Sequence, residues 1–527
     1  MRPRVLVADP IAQDGIDVLG RRADVDVQTG LSREALIELI PAYDALVVRS
    51  ETKVTAEVIE AGRRLQAIGR AGVGVDNIDI PAATQRGIVV VNAPTGNTIS
   101  AAEHTIGLML ALARHIPQAD ASVHAHEWKR SKFVGVEVRN KTLGVIGLGQ
   151  VGSEVARRAR GLEMHVVGVD PFVPEERARS LGVELVEMDD LLARADFIAV
   201  HTTLTKGTRG LIGPDEIAKM KPSVRLINTA RGGIIEEAPL IAAVRSGRIA
   251  GAAIDVFTEE PLKDFAIAET PGIIVTPHLG ASTAEAQERV AVDVAEQILC
   301  ILGGEPAAYA VNAPMVAPET MTVVAPFLPA GEICGSLATQ LSEGQLRDVE
   351  IVYNGELALH DTGVLRAAVI RGLLRPVSEE HVTIVNANLV AESRGLRIVE
   401  QKDPEEAEGL TNLITVRVRT AAGPTTVAAT VEHGVPYVVQ VNELRVDLSP
   451  SAGYLLFCDN QDRPGMIGAV GMKMKDFDIN ISSMKVGRQQ ARGRALMVLE
   501  LDEAPTEAQI KEIEAIPNIF SARLVRL

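Results

Sequence analysis

The chain of 527 residues has few cysteines, few aromatics and no excess of positive charge. Cys300, Cys334 and Cys458 stand far apart, with no Cys-x-x-Cys pair and no histidine cluster at metal-ligand spacing. Neither a disulfide framework nor a metal site is expected, and the thiols read as buried and reduced. Aromatic residues make up 3% with a single Trp, so Ala, Val, Ile and Leu must fill the cores, and there is no platform for stacking nucleobases. A formal charge of -16 argues against nucleic acid as a partner. Long apolar runs are missing too. The stretch after Met1-Arg-Pro-Arg4 is ended by Asp9 and Pro10, unlike a secretory leader, and runs such as 106–113 are too short to span a bilayer. A soluble cytoplasmic protein without a membrane partner is expected.

Hydrophobic residues amount to 46%, enough for several cores, and the length calls for roughly three or four domains. Short Val/Ile-rich runs at 4–8, 45–49, 65–70 and 88–92 alternate with helix-like segments, a βα repeat. A buried helix is predicted over 100–114, and a second βα series runs from 141–147 to about 276. Two doubly wound parallel-sheet lobes follow, with a helix over 283–302 returning to pack on the first. At 314–329 the chain turns rich in Pro and Ala, which marks a boundary. Beyond it, strands are predicted at 349–353, 414–420, 425–431 and 438–446 around a helical middle, with no catalytic constellation. The last stretch alternates as strand 453–458, helix 464–475, strands 479–486 and 495–501, helix 506–515 and strand 519–525. That is βαββαβ, a ferredoxin-like sandwich.

Gly147-Leu-Gly-Gln-Val-Gly152 follows a strand and opens a helix. Its glycines allow a tight turn and close approach of backbone to a pyrophosphate at the helix N-terminus. The spacing alone is common to many glycine turns. Here the next strand, 165–169, ends at Asp170, about twenty residues on, where a carboxylate would bind the adenine ribose hydroxyls. An acid there repels a 2'-phosphate, so NAD is expected rather than NADP. Downstream come a cation, a carboxylate and an imidazole: Arg231 in Asn228-Thr-Ala-Arg-Gly-Gly233, Glu260 in Asp255-Val-Phe-Thr-Glu-Glu260, and His278 in Thr276-Pro-His-Leu-Gly-Ala-Ser282. Oxidising a secondary alcohol with a nicotinamide needs a base, a partner that holds the base in its protonation state, and a cation for the substrate carboxylate. Singly, a strand-end histidine, a surface arginine and a solvated glutamate need no explanation, and which of Glu259 and Glu260 points inward is open. Jointly, behind a dinucleotide motif, they point to hydride transfer on a hydroxy acid.

These four motifs resemble the signatures of the D-2-hydroxyacid dehydrogenases, and the likeness runs over essentially the whole chain. It is closest to the long members of that family that act on 3-phospho-D-glycerate. In the first lobe it is carried by Val48-Arg-Ser50, Gly69-Arg-Ala-Gly-Val-Gly-Val-Asp-Asn77 and Asn92-Ala-Pro-Thr-Gly-Asn-Thr-Ile-Ser-Ala-Ala-Glu103. The resemblance implies a flavodoxin-like substrate lobe from 1–97 and 286–312, a Rossmann-like NAD lobe at 98–285, an α+β intervening domain at 316–449 and an ACT domain at 453–527. It implies that Arg231 holds the substrate carboxylate, His278 exchanges the proton and Glu260 stabilises the imidazolium. Gly147, Gly149, Gln150, Val151 and Gly152 would meet the pyrophosphate, Asp170 the adenosine ribose, and Thr202 the crevice wall. Thr229, Ala230, Arg231 and Asp255 would approach the nicotinamide end, together with the loop His278, Leu279, Gly280 and Ala281. A phosphorylated substrate needs extra positive charge, which Arg49 and Arg70 could supply, with Asn97 adding hydrogen bonds and Val73 near the nicotinamide.

Trp128-Lys-Arg130 resembles a dimerisation arm. In the ACT-like segment, Asp459-Asn-Gln-Asp-Arg-Pro-Gly465 and the second strand place Asp462 and Asn480 as contacts for an amino-acid effector, L-serine by resemblance. His381-Val-Thr-Ile-Val-Asn-Ala-Asn388 and Val438-Val-Gln-Val-Asn442 resemble the intervening domain. There Pro436, Tyr437 and Ser449 stand where basic residues would serve an anion, leaving mainly Arg445. The implied activity is NAD-dependent oxidation of 3-phospho-D-glycerate to 3-phosphohydroxypyruvate, the first step of serine synthesis, in a homotetramer restrained by serine. The alternatives are a glyoxylate or hydroxypyruvate reductase of the same family and a non-catalytic NAD-sensing protein.

Overall fold

A computed structural model describes residues 2–314, 318–407, 409–450 and 453–527. Part of the Pro/Ala-rich junction expected at 314–329 lies outside the described residues. The first sheet is parallel, with strands Arg4–Val7, Asp24–Val27, Ala45–Val48, Ala67–Arg70 and Val89–Asn92 in the spatial order second, first, third, fourth, fifth. Its inner strands are apolar at nearly every position because helices cover both faces. Val5, Leu6, Val7 and the whole Ala45–Val48 strand are buried. The sequence did not reveal Asp24–Val27, an edge strand that reads DVDV with exposed ends.

Seven parallel strands form the second sheet: Thr142–Ile146, His165–Val169, Glu184–Leu185, Phe197–Val200, Arg225–Asn228, Gly251–Ile254 and Ile273–Val275. Their order is seventh, sixth, fifth, fourth, first, second, third. The direction in which strands are added reverses between Thr142–Ile146 and Phe197–Val200, and an open sheet binds its ligands in the crevice beyond the strand ends at that point.

Two helices carry the chain between lobes. Thr98–Arg114 buries Ala101, Ala102, Thr105, Leu108, Met109 and Leu112. Ala284–Leu302 starts where Thr283 Oγ1 accepts from the Ala286 amide (3.2 Å). As expected, it returns to the first lobe, where Val290, Val294 and Ile298 share a core with Val5, Val47 and Ala67. The two crossings touch at Ser100 Oγ and Thr283 Oγ1, 2.7 Å apart.

The third sheet runs Arg397–Asp403, Asp348–Gly355, Asn412–Thr420, Gly423–Glu432, Val435–Val441, Leu444–Leu448 in space. Arg397–Asp403 is a charged edge strand that the sequence reading passed over, and it pairs parallel to Asp348–Gly355. The strand expected over 438–446 is two, because Asn442 takes φ +53° and turns the chain. By length and composition alone, the helical stretch Glu319–Leu341 could cross a membrane. Yet Ala330, Cys334, Leu337 and Ala338 lie in the core beneath this sheet.

The last unit follows the predicted βαββαβ order, with strands Tyr454–Gln461, Ile481–Arg488, Arg494–Leu501 and Ile519–Arg526 arranged second, third, first, fourth. Helices Met466–Asp476 and Glu507–Glu514 cover one face. The intervening domain covers the other, so Leu455, Phe457, Leu496, Val498 and Val525 share one core with Ile414, Val416 and Val446. Gln340 of the intervening domain pairs with the edge strand Ile519–Arg526, donating to Arg526 O (2.8 Å) and accepting from Arg526 N (3.0 Å).

The 381–388 segment, singled out by resemblance alone, clasps the first lobe. Thr383 Oγ1 donates to Gly87 O (3.0 Å) and Asn386 Nδ2 to Gln85 O (3.3 Å), at the turn that leads into Val89–Asn92. Gly87 has φ +70°, and a Cβ there would stand 2.8 Å from Thr383 Oγ1 and 3.0 Å from Asn386 Nδ2. Gly87→Ala should therefore cost about 1–2 kcal/mol from the backbone conformation alone, seen as a lower first midpoint in thermal unfolding. Asn386→Ala should reproduce part of the drop.

Candidate active site in the crevice between the lobes

The glycine loop and the Asp170 strand end meet at the switch point. A Cβ on Gly152 would stand 1.9 Å from Gly147 O, so the turn closes only with glycine, while the space beside Gly149 is open. The helix Gln150–Gly161 begins here, and Gln150 Oε1 accepts from Thr98 Oγ1 (3.1 Å). Val151 is half-buried beside it. Asp170 Oδ2 accepts from the Leu148 amide (2.8 Å) and Oδ1 from Phe172 N (2.9 Å), which fixes the carboxylate against the loop. A cleft of about 860 Å3 runs over Gly147, Gly149, Asp170 and Thr202 between the apolar walls of Phe172, Leu185, Met188 and Leu211. His201 borders it with a buried Nε2 that has no partner. Burial pushes this imidazole down to about 4, so it is neutral. The sequence reading missed it, because one histidine after a strand carries no signal. An open glycine cradle, an acid at its rim and an unpartnered buried nitrogen fit the pyrophosphate and adenosine of a dinucleotide.

The cation side is built from both lobes. Asn228 folds its own turn, since Nδ2 donates to Arg231 O (2.9 Å) and Oδ1 accepts from Ala230 N (3.0 Å). Thr229 Oγ1 is held 2.7 Å from Thr105 Oγ1. Arg231 then reaches across the crevice, where its Nε donates to Asp76 Oδ2 (3.2 Å), a carboxylate that the sequence had not singled out. Arg70 projects beside it with a buried, unpartnered Nε. Burial first, then the neighbouring Arg231 and Arg49, push its guanidinium down to about 10. The Arg49 loop is fixed by buried Asp9, which accepts from Arg49 N, and by Asn77 Nδ2, which donates to Arg49 O (2.9 Å). Asn92 Nδ2 donates to Val73 O (2.6 Å), and Asn97 stands at the N-cap position of the crossing helix Thr98–Arg114.

His278 has the left-handed φ of +54°. Its Nδ1 lies 2.7 Å from Glu260 Oε2, and Glu260 Oε1 accepts from Phe257 N (2.9 Å). Glu259 pairs with Lys263 instead, so Glu260 is the inward carboxylate. Partial burial raises the Glu260 carboxyl, but the bonds from His278 and Phe257 outweigh it and hold the group below its ordinary value. The arginine turn touches this segment, for a Cβ on Gly232 would stand 1.9 Å from Phe257 O. Asp255, with no exposed surface, anchors the 278–281 loop. Its Oδ1 accepts from Thr276 Oγ1 (2.6 Å), Leu279 N (2.7 Å) and His104 Nε2 (3.2 Å), and its Oδ2 from Gly280 N (2.9 Å). Burial raises this carboxyl, and the bonds again win, so it too lies below its usual value.

Asp462 lines a smaller cleft of about 400 Å3 with Met466, Val486 and Arg492, and binds Arg488 (2.7 Å). Asn480 stands at the other end of the sheet, donating to Asp502 Oδ2 (2.7 Å). Gln461 is level with Arg494, whereas Ile481 is level with Leu501 and Tyr454. One chain therefore does not bring these two candidates together.

Comparison with known proteins agrees with this geometry. Residues 106–280 match the D-isomer specific 2-hydroxyacid dehydrogenase NAD binding domain, 323–442 the D-3-phosphoglycerate dehydrogenase intervening domain, and 454–518 the ACT domain. Among solved structures, the TT0316 protein from Thermus thermophilus is 30% identical with a TM-score of 0.55, covering 58% of this chain and 99% of its own. A glyoxylate reductase from Paecilomyes thermophila is likewise 30% identical, with a TM-score of 0.54 over 59% of this chain and 98% of its own. Site and fold together define an NAD-dependent D-2-hydroxyacid dehydrogenase. Over 99% of this chain, a D-3-phosphoglycerate dehydrogenase from Synechocystis is 46% identical and one from Methanocaldococcus jannaschii 44%, covering 95% and 100% of those proteins. The chain belongs to the D-3-phosphoglycerate dehydrogenase family.

Both depressed carboxyls give a pH signature. Their contribution to stability is complete above the unfolded-state values, near 3.8 for Asp255 and 4.5 for Glu260, and is lost as pH falls through the lower folded-state values. Asp255→Asn removes one acceptor oxygen beneath four donors and should cost about 1–3 kcal/mol at neutral pH. Acid titration followed by far-UV circular dichroism should show the variant unfolding from a less stable start, with a shallower loss toward low pH.

Proposed function

We propose that the chain oxidises 3-phospho-D-glycerate to 3-phosphohydroxypyruvate with NAD, and that it is a cytoplasmic homotetramer restrained by L-serine. The observation that carries the substrate is the convergence of Arg49, Arg70 and Arg231 with Arg70 Nε left unpartnered. A simple keto acid needs one guanidinium, whereas a carboxylate and a phosphate together need more. Arg231 holds the carboxylate and polarises the oxygen at the reacting carbon, Arg49 and Arg70 take the phosphate, Asn97 donates to the substrate, and Val73 bounds it. With Nδ1 engaged by Glu260, His278 presents Nε2 to the substrate hydroxyl and takes its proton, and Glu260 stabilises the imidazolium that results. NAD, when bound, would supply the acceptor for the hydride. Gly147, Gly149, Gln150, Val151, Gly152, Asp170 and Thr202 would hold its pyrophosphate and adenosine, and Thr229, Ala230, Asp255, Leu279, Gly280 and Ala281 its nicotinamide end.

The ACT unit supports pairing of copies within that assembly. Two copies pairing antiparallel along Ile481–Arg488 bring Asn480 of the partner subunit to the Arg488 end, beside Asp462, and a serine between them would meet one residue from each chain. Domain limits at 1–97 with 286–312, 98–285, 316–449 and 453–527 accompany this reading.

NADH formation from 3-phospho-D-glycerate at alkaline pH, with and without L-serine, tests it. Turnover suppressed by serine is the expected result; preference for glyoxylate with no response to serine would move the protein to the general reductases. His278→Ala should lower turnover by roughly 10² to 10⁴. Arg70→Met should raise the KM for the phosphorylated substrate roughly tenfold or more while sparing glyoxylate reduction.

A further inference from the structure

His104 lies in the interior of the crossing helix Thr98–Arg114, directly after the Asn92–Glu103 motif but with no role given to it by the sequence reading. Its Nε2 is 3.2 Å from Asp255 Oδ1 and 3.2 Å from Thr276 Oγ1. A carboxylate only accepts, and Thr276 already donates to the same Oδ1 (2.6 Å), so the proton in this contact belongs to His104 Nε2. The carboxylate it steadies holds the amides of Leu279 and Gly280, and the Asp255 carbonyl accepts from His278 N (2.9 Å). His278 itself sits at φ +54°, a conformation that a non-glycine residue keeps only when its surroundings over-determine it. The next residue on the same helix, Thr105, pins Thr229 in the turn that presents Arg231.

We propose that His104 is a positioning residue for proton transfer: through Asp255 it fixes the 278–281 loop and thereby aims His278 Nε2 at the substrate hydroxyl. This rests on the reading that His278 is the proton acceptor. His104 touches neither substrate nor reacting atoms, so its loss should act on the geometry of the base rather than on binding.

The test compares His104→Leu, which removes the donor, with His104→Gln, whose amide can donate, and with His278→Ala, all in the full-length enzyme. Steady-state kinetics, the pH profile of kcat, NADH binding by fluorescence and the thermal midpoint are read for each. The expected result is a kcat lowered roughly 10- to 100-fold in His104→Leu, with KM values and NADH affinity within about threefold of the parent and most of kcat recovered in His104→Gln. A His104→Leu enzyme with parental kcat overturns the proposal, as does a loss of kcat that Gln does not recover. A Leu variant that unfolds while the Gln variant matches the parent in midpoint and kcat assigns His104 to stability alone and overturns it too. If His278→Ala retains turnover, the reading beneath the proposal falls; if it loses turnover while His104→Leu keeps the parental kcat, only the role of His104 falls.

Discussion

One buried carboxylate organises the catalytic end of this molecule. Asp255 stands at the end of an inner parallel strand with no access to water, where an unpaired charge would not survive. It persists because donors reach it from three directions: the loop that carries His278, the strand end at Thr276, and the crossing helix. The same bonds that make the charge tolerable give the loop its shape. Nothing in the loop's own sequence would hold a histidine in a left-handed conformation.

The substrate side follows the opposite logic. Arg49, Arg70 and Arg231 crowd one another, while Asp76 bonds Arg231 and acts on Arg70 through space. Burial first, and the crowding of these cations second, lower the guanidinium of Arg70. The cluster is a local concentration of positive charge on a chain whose formal charge is -16. An anion entering the crevice meets a field already in place.

Much of this was legible in the sequence, because parallel strands buried on both faces read as plain runs of Val, Ile and Ala. What escaped were edges and partners. Asp24–Val27 and Arg397–Asp403 are edge strands whose charged, alternating residues do not announce a core. The hairpin at Asn442 hid because apolar residues alternate with polar ones on both sides of it, as in one continuous strand. Glu260 could not be told from Glu259 until the fold brought His278 to one of them. His104 lies 151 positions from Asp255, so no local spacing could have tied them. Asp462 and Asn480 are close in sequence and distant in one chain because their strands run in the same direction, a property of topology rather than of motif.

The two edges of the C-terminal sheet are not equivalent. With helices on one face and the intervening domain on the other, only its two outer strands are left to meet a neighbour. At Ile519–Arg526 the side-chain amide of Gln340 imitates a passing peptide and occupies both hydrogen-bonding groups of Arg526. A strand arriving at this edge would find its last rung already filled, so the edge offers a newcomer one rung fewer than its length suggests.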